Sequence, residues 1–161
     1  MLFAYFAVKI FAMQNENTNP ETAFKTMMTV WASLVTSQVF FPVIVFFAKP
    51  ELFRFDLSKP LFGDFVVEIG FLGFISLVNL IVSFTLRKRF TDQAVSTGRI
   101  ALVQTAMIIG CAMCEIVSLF GVLVAFAFEF QFFFVFSALG IIGTLLHFPR
   151  RSDIHAASFK R

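Results

Sequence analysis

Four apolar stretches, parted by short polar or basic segments, organise this chain. They run from about Phe24 to Ala48, Leu61 to Leu86, Ile100 to Phe128 and Phe132 to Phe148. A helix needs roughly 20 apolar residues to cross about 30 Å of hydrocarbon, and each stretch approaches that length. Asn19-Pro20 predicts the start of the first helix, and Lys49-Pro50 its end. Pro60 precedes the second, Arg87-Lys88-Arg89 follows it, and Pro149 stops the fourth. Pro42 predicts a kink in the first span, because it removes a backbone hydrogen bond that neighbouring groups must replace. The connection around Glu129 is short, so the third and fourth helices are expected to pair antiparallel. The pattern predicts an all-α polytopic membrane protein with four transmembrane helices arranged as two antiparallel hairpins.

Ahead of the spans, residues 1–22 form a polar or interfacial segment. Met1 to Ala12 is apolar, but it is too short to span and is interrupted by Lys9. It lacks the basic lead and small-residue cleavage site of a signal peptide. It is expected either to lie along the headgroups or to precede a true start at Met13. Residues 23–148 make the transmembrane domain and 149–161 a basic tail.

Composition agrees with lipid as the solvent. Hydrophobic residues make up 58% of the chain and charged residues 14%, against about 25% charged in soluble domains. Twenty-six phenylalanines carry much of the apolarity and are read as lipid contact and packing. The net charge of +3 is mild, and its basic clusters sit beside apolar runs, where anionic headgroups explain them better than nucleic acid. Lys9, Lys25, Arg87, Lys88, Arg89, Arg99, Arg150, Arg151, Lys160 and Arg161 fall on one side of the predicted topology, against Lys49, Arg54 and Lys59 on the other. The positive-inside rule then predicts that both termini of this multi-pass protein lie in the cytoplasm.

Glu115 is the residue that stands out, since a carboxylate at that depth costs about 2.5 to 3.5 kcal/mol on insertion scales. It must be paired, protonated or used. At about 1.5 Å per residue, Glu115 lies about 24 Å beyond Arg99, Glu68 about 28 Å before Arg87 and Gln38 about 20 Å beyond Lys25. These three are expected to meet, with Ser37 and Ser118 supplying hydroxyls, and Gln104 and Asn79 form a second expected contact. Glu115 is read either as a neutral carboxyl bonded to Gln38 or a backbone carbonyl, or as an ion site. Ala106, Gly110 and Cys114 recur at four-residue spacing, and Gly140 and Gly143 form a notch, so both mark close helix packing. The C-x-x-C pair Cys111 and Cys114 is read as packing, not as redox or zinc chemistry.

The third span, TAMIIGCAMC before Glu115 and IVSLFGVLVAF after it, resembles the second helix of the c subunit (proteolipid) of rotary ATP synthases. That resemblance covers about 28 residues of this chain and implies that Glu115 binds H⁺ or Na⁺. The preceding span has Gly63, Gly70 and Gly73 in place of that family's dense glycine stripe, and the Arg-Gln/Asn-Pro loop is absent. Over most of its length the chain is similar to a family of small four-helix bacterial membrane proteins of uncharacterised role. The matching segments are FKTMMTVWASLVTSQVFF, the third span and HFPRR. This similarity implies an architecture and no activity.

No G-x-S-x-G, H-E-x-x-H or phosphate-loop pattern occurs, so no catalytic residue, metal or cofactor is assigned. His147 and His155 are read as interfacial or solvated. The expected role is a non-enzymatic membrane subunit or accessory protein in which buried Glu115 fixes helix packing or partner contact. The alternative is a proton- or sodium-handling protein. Expected partners are membrane lipid, a homo-oligomer or larger membrane complex, and H⁺ or Na⁺.

Overall fold

The computed structural model describes residues 19–54 and 63–159. The N-terminal twelve residues, Met13 as a start, and residues 55–62, where the second span is expected to begin, lie outside the described residues, as do Lys160 and Arg161. Five helices are present among the described residues. Helix α1 covers Pro20–Ala48, with the Asn19 side chain accepting from the Glu21 N–H at 2.9 Å and Pro20 in the first turn. That arrangement is the one Asn and Pro favour at a helix start. Pro42 lies within α1, which continues through it to Ala48.

Helix α2, Val66–Thr97, runs well past the expected end of its apolar stretch at Leu86. Between Arg87 and Thr97 there is no Gly or Pro to break it. It stops where Gly98 takes a left-handed conformation, φ 67°, and the Arg99 N–H returns to the Ala94 carbonyl, a common glycine-dependent stop. The basic cluster Arg87-Lys88-Arg89 therefore sits on a helix and not in a loop. Helix α3, Ile100–Phe128, matches the predicted third stretch and ends at Glu129, the one non-glycine residue with positive φ among those described. Helix α4 covers Phe134–Leu146, shorter than the predicted fourth stretch, and its 13 residues reach only about 20 Å. Helix α5, Arg151–Ser158, turns the predicted basic tail into ordered structure.

Three helices, α1, α2 and α3, are long and apolar enough to cross a membrane. Their outward surfaces suit lipid: Phe47 and Val67 are 79% and 78% exposed, and Phe40, Phe71, Phe74 and Ile81 also face out. Half of the apolar window of α3 is buried, against 17% in α1 and in α2. Helix α3 is accordingly the axis of the bundle. α1, α2 and α4 each pack on it, while α1 and α2 have at most marginal contact with each other. Two hairpins side by side do not describe this arrangement, because α2 and α4 both take α3 as their neighbour. Small residues along α3 explain why it takes the centre, since they let several backbones approach it at once.

Two apolar clusters fill the ends of the bundle. One joins Met27, Leu34, Val103, Met107 and Cys111 with Ile154 of α5. The other joins Val45, Ile69, Val124, Phe133 and Phe136. Between them α4 meets α3 through the predicted glycine notch. A methyl group at Gly140 would lie 2.6 Å from the Cys114 carbonyl oxygen, and one at Gly143 would lie 2.8 Å from Cys114 Sγ. The same addition at Gly70, on the outer face of α2, would meet nothing within 4 Å.

Thermal unfolding in detergent should separate these glycines. Gly140→Ala is expected to lower stability by about 1 to 3 kcal/mol, the usual cost of overpacking. Gly70→Ala should be neutral or raise stability by about 0.5 to 1 kcal/mol through helix propensity. Equal effects at both positions would contradict the close α3–α4 contact.

Candidate functional site

A layer of polar side chains crosses the bundle between the two apolar clusters. Gln38 on α1, Ser118 on α3 and Thr144 on α4 are all fully buried. Ser118 Oγ donates to Gln38 Oε1 at 2.9 Å, and Gln38 Nε2 donates to Thr144 Oγ1 at 2.7 Å. Thr144 Oγ1 in turn donates to the Gly140 carbonyl at 3.1 Å. The direction of every bond in this chain is fixed, because Thr144 spends its only proton on Gly140 and must accept from the amide. Three helices are thereby tied in one register. The indole of Trp31 adds a second tie from α1, donating to the Thr144 carbonyl at 2.8 Å.

Glu115 lies one turn from this chain on α3 and is 7% exposed. Its partner is Ser37, whose hydroxyl donates to Glu115 Oε1 at 3.0 Å and also approaches the Leu34 carbonyl at 2.9 Å. Gln38, expected as that partner, is one residue away and turned to Ser118 and Thr144. Neighbouring positions on a helix point about 100° apart, so depth alone did not choose between Ser37 and Gln38. Glu68 does not join this group: it is exposed in the first turn of α2. Asn79 donates to the Met113 carbonyl at 2.6 Å, in place of the expected contact with Gln104.

A third polar group centres on His147, which is fully buried within the bundle and so not solvated. Its Nδ1 lies 2.7 Å from the Gly143 carbonyl, which assigns the proton to Nδ1. Nε2 is then an acceptor, and it is one of two buried side-chain polar atoms among the described residues without a hydrogen-bond partner, Ser137 Oγ being the other. Phe84 covers the ring at 4.5 Å between centroids, and Cys114 Sγ lies 3.8 Å from Nδ1 and 3.9 Å from Ser83 Oγ. Gly110 makes this placement possible, since a methyl there would run into the imidazole. Ala106 and Cys111 are buried on α3 as well. The predicted small-residue positions thus admit two things, the backbone of α4 and the ring of His147.

Arg87 completes the set from α2. Its guanidinium donates to the carbonyls of Leu146 at 3.2 Å and Phe148 at 2.9 Å, and lies 3.7 Å from Asp153. Those carbonyls belong to the end of α4, where helical partners run out. Sequence reasoning missed Thr144, Trp31, His147 and Arg87 in these roles. The available signals were the sole tryptophan of the chain and a threonine four residues after Gly140 on a glycine-bearing face.

Chemically the layer holds one carboxyl, several hydroxyls and amides, two thiols and an imidazole. Among the described residues no three His, Cys, Asp or Glu side chains group as metal ligands would. Comparison with family models, with curated proteins and with solved structures gives no match.

Gly110→Ala is expected to destabilise by about 1 to 3 kcal/mol through overpacking against His147. The loss should be smaller when introduced together with His147→Ala, which removes the ring. Thermal melts of the four variants test this, and strict additivity within about 0.3 to 0.5 kcal/mol would mean that the two residues do not touch.

Proposed function

We propose that this chain is a four-span, non-enzymatic membrane subunit or accessory protein whose buried polar layer, Glu115 included, fixes the packing of helices for assembly with a partner. The supporting observation is that each polar group named on the inner face of α3 is met by a side chain from a different helix. Ser118 meets Gln38, Glu115 meets Ser37, and the Met113 carbonyl meets Asn79. Such bonds are individually modest in membranes, about 0.6 kcal/mol on average and up to about 1.7. Their value lies in register: a helix that rotates or slides leaves a polar group unpaired in hydrocarbon, at a cost of several kcal/mol. The short α4 serves as the fourth span in this reading. The basic ends of α1 and α2, together with α5, face the cytoplasm of a bacterial inner membrane.

Proton or sodium handling at Glu115 is the second reading. One observation favours it: among the described residues Ser37 is the one hydrogen-bond donor to a carboxyl that is only 7% exposed, which leaves room for a second group to exchange at that acid. Protons fit this better than Na⁺, which takes several oxygen ligands. Ser37 also borders a shallow hydroxyl-lined groove on α1 with Thr29, Ser33 and Thr36.

Two substitutions in proteoliposomes separate the readings. Under the packing role, Glu115→Gln keeps the hydrogen bond from Ser37, so assembly and basal proton leak should stay at the wild-type level. Glu115→Leu should weaken the bundle by about 0.6 to 1.7 kcal/mol. A protein-dependent proton flux abolished by Glu115→Gln, with folding intact, would replace the packing role by proton handling.

A further inference from the structure

Helix α5 differs from the rest of the bundle in how it is held. It is eight residues long, and helices of that length are marginal on their own. It docks through two buried side chains, Ile154 and Ala157. Two ion pairs flank them, Arg87 with Asp153 at 3.7 Å and Arg151 with Glu21 at 3.3 Å, and the Arg151 guanidinium sits 4.6 Å over the Phe24 ring. The Arg151 pair is more than half exposed on both sides, where ion pairs contribute little. Packing along one edge of α5 is open: a cleft bordered by Asp92, Ser96, Gly98, Ala156 and Phe159 lies beside its contact with α2 at Ala94. Short length, only two buried side chains and an open edge are the marks of a segment that opens locally before the whole protein does.

The position of α5 gives that opening a consequence. Ile154 and Ala157 close the cluster that contains Met27 of α1 with Val103, Met107 and Cys111 of α3. Those three α3 residues repeat every four positions, and the next in the series is Glu115. Helices α1 and α2 do not meet to close this end, and α5 bridges them. We propose that α5 is a detachable cap over the basic end of the α1–α3 seam, undocking while the apolar helices stay packed and so controlling access from that end toward Cys111 and Glu115. This inference does not depend on whether Glu115 titrates, since it concerns the route and not the acid.

Hydrogen exchange on the unmodified chain in phosphatidylcholine–phosphatidylglycerol nanodiscs tests separability. Amides of α5 are expected to exchange at least a hundredfold faster than those of residues 107–115, and exchange of both at one common rate would overturn the proposal. Access is tested by N-ethylmaleimide labelling of Cys111 in a Cys114→Ser background, where Ile154→Asp should raise the rate tenfold or more with the helical melting transition unchanged. No rise, or a rise only in parallel with loss of that transition, would also overturn it.

Discussion

A polar group placed in hydrocarbon is costly unless it finds a partner inside the protein, and this requirement shapes the bundle more than apolar contact does. Among the described residues His147 Nε2 and Ser137 Oγ are the buried polar side-chain atoms that lack one. Lipid chains are as good a neighbour for Leu or Phe as another helix is, so burial of apolar surface alone gives little reason for α1, α3 and α4 to prefer one orientation. The bonds from Ser118 to Gln38 and from Gln38 to Thr144 supply that preference. They also account for the small residues around them. Gly140 has no side chain because Ser118 and the Cys114 carbonyl occupy the space a methyl would need. Close approach and hydrogen bonding are two sides of one arrangement.

The same requirement explains how a helix as short as α4 is fastened. Its last turn offers carbonyl groups to other helices: Trp31 from α1 adds a bond to the Thr144 carbonyl, which also accepts from the His147 N–H, and Arg87 from α2 takes up those of Leu146 and Phe148. Arg87 stands where the apolar part of α2 ends, so its charge reaches the interface while its donors close the end of α4. Asp153 then draws the chain beyond Pro149 back toward the bundle. Order at this end of the protein follows from one arginine serving both the end of α4 and the start of α5.

Much of this architecture was legible in the residues. Apolar length located the long helices and Asn19-Pro20 marked the first start, whereas the end of α2 at Gly98, beyond the expected stop at Leu86, was not read. The small residues Ala106, Gly110, Cys114, Gly140 and Gly143 marked contact surfaces that are buried. Partner identity was not legible. Depth estimates brought Gln38 and Glu68 toward Glu115, yet one step along α1 turns the side chain by about 100°, and Ser37 is the residue that faces the acid. Pairing of helices was equally hidden, because short connections predict neighbours for α3 but cannot say that α1 packs on α3 and not on α2. From its place near the cytoplasmic boundary His147 reads as interfacial or solvated, while Gly110 opens a buried place for its ring.

The central claim is that hydrogen bonds across the polar layer couple α1 to α3. A double-mutant cycle of Gln38→Leu and Ser118→Ala, followed by reversible unfolding in mixed micelles, measures that coupling directly. A coupling of about 0.6 to 1.7 kcal/mol is expected, the double mutant losing less than the sum of the single ones. Additive losses, agreeing within about 0.3 kcal/mol, would contradict it.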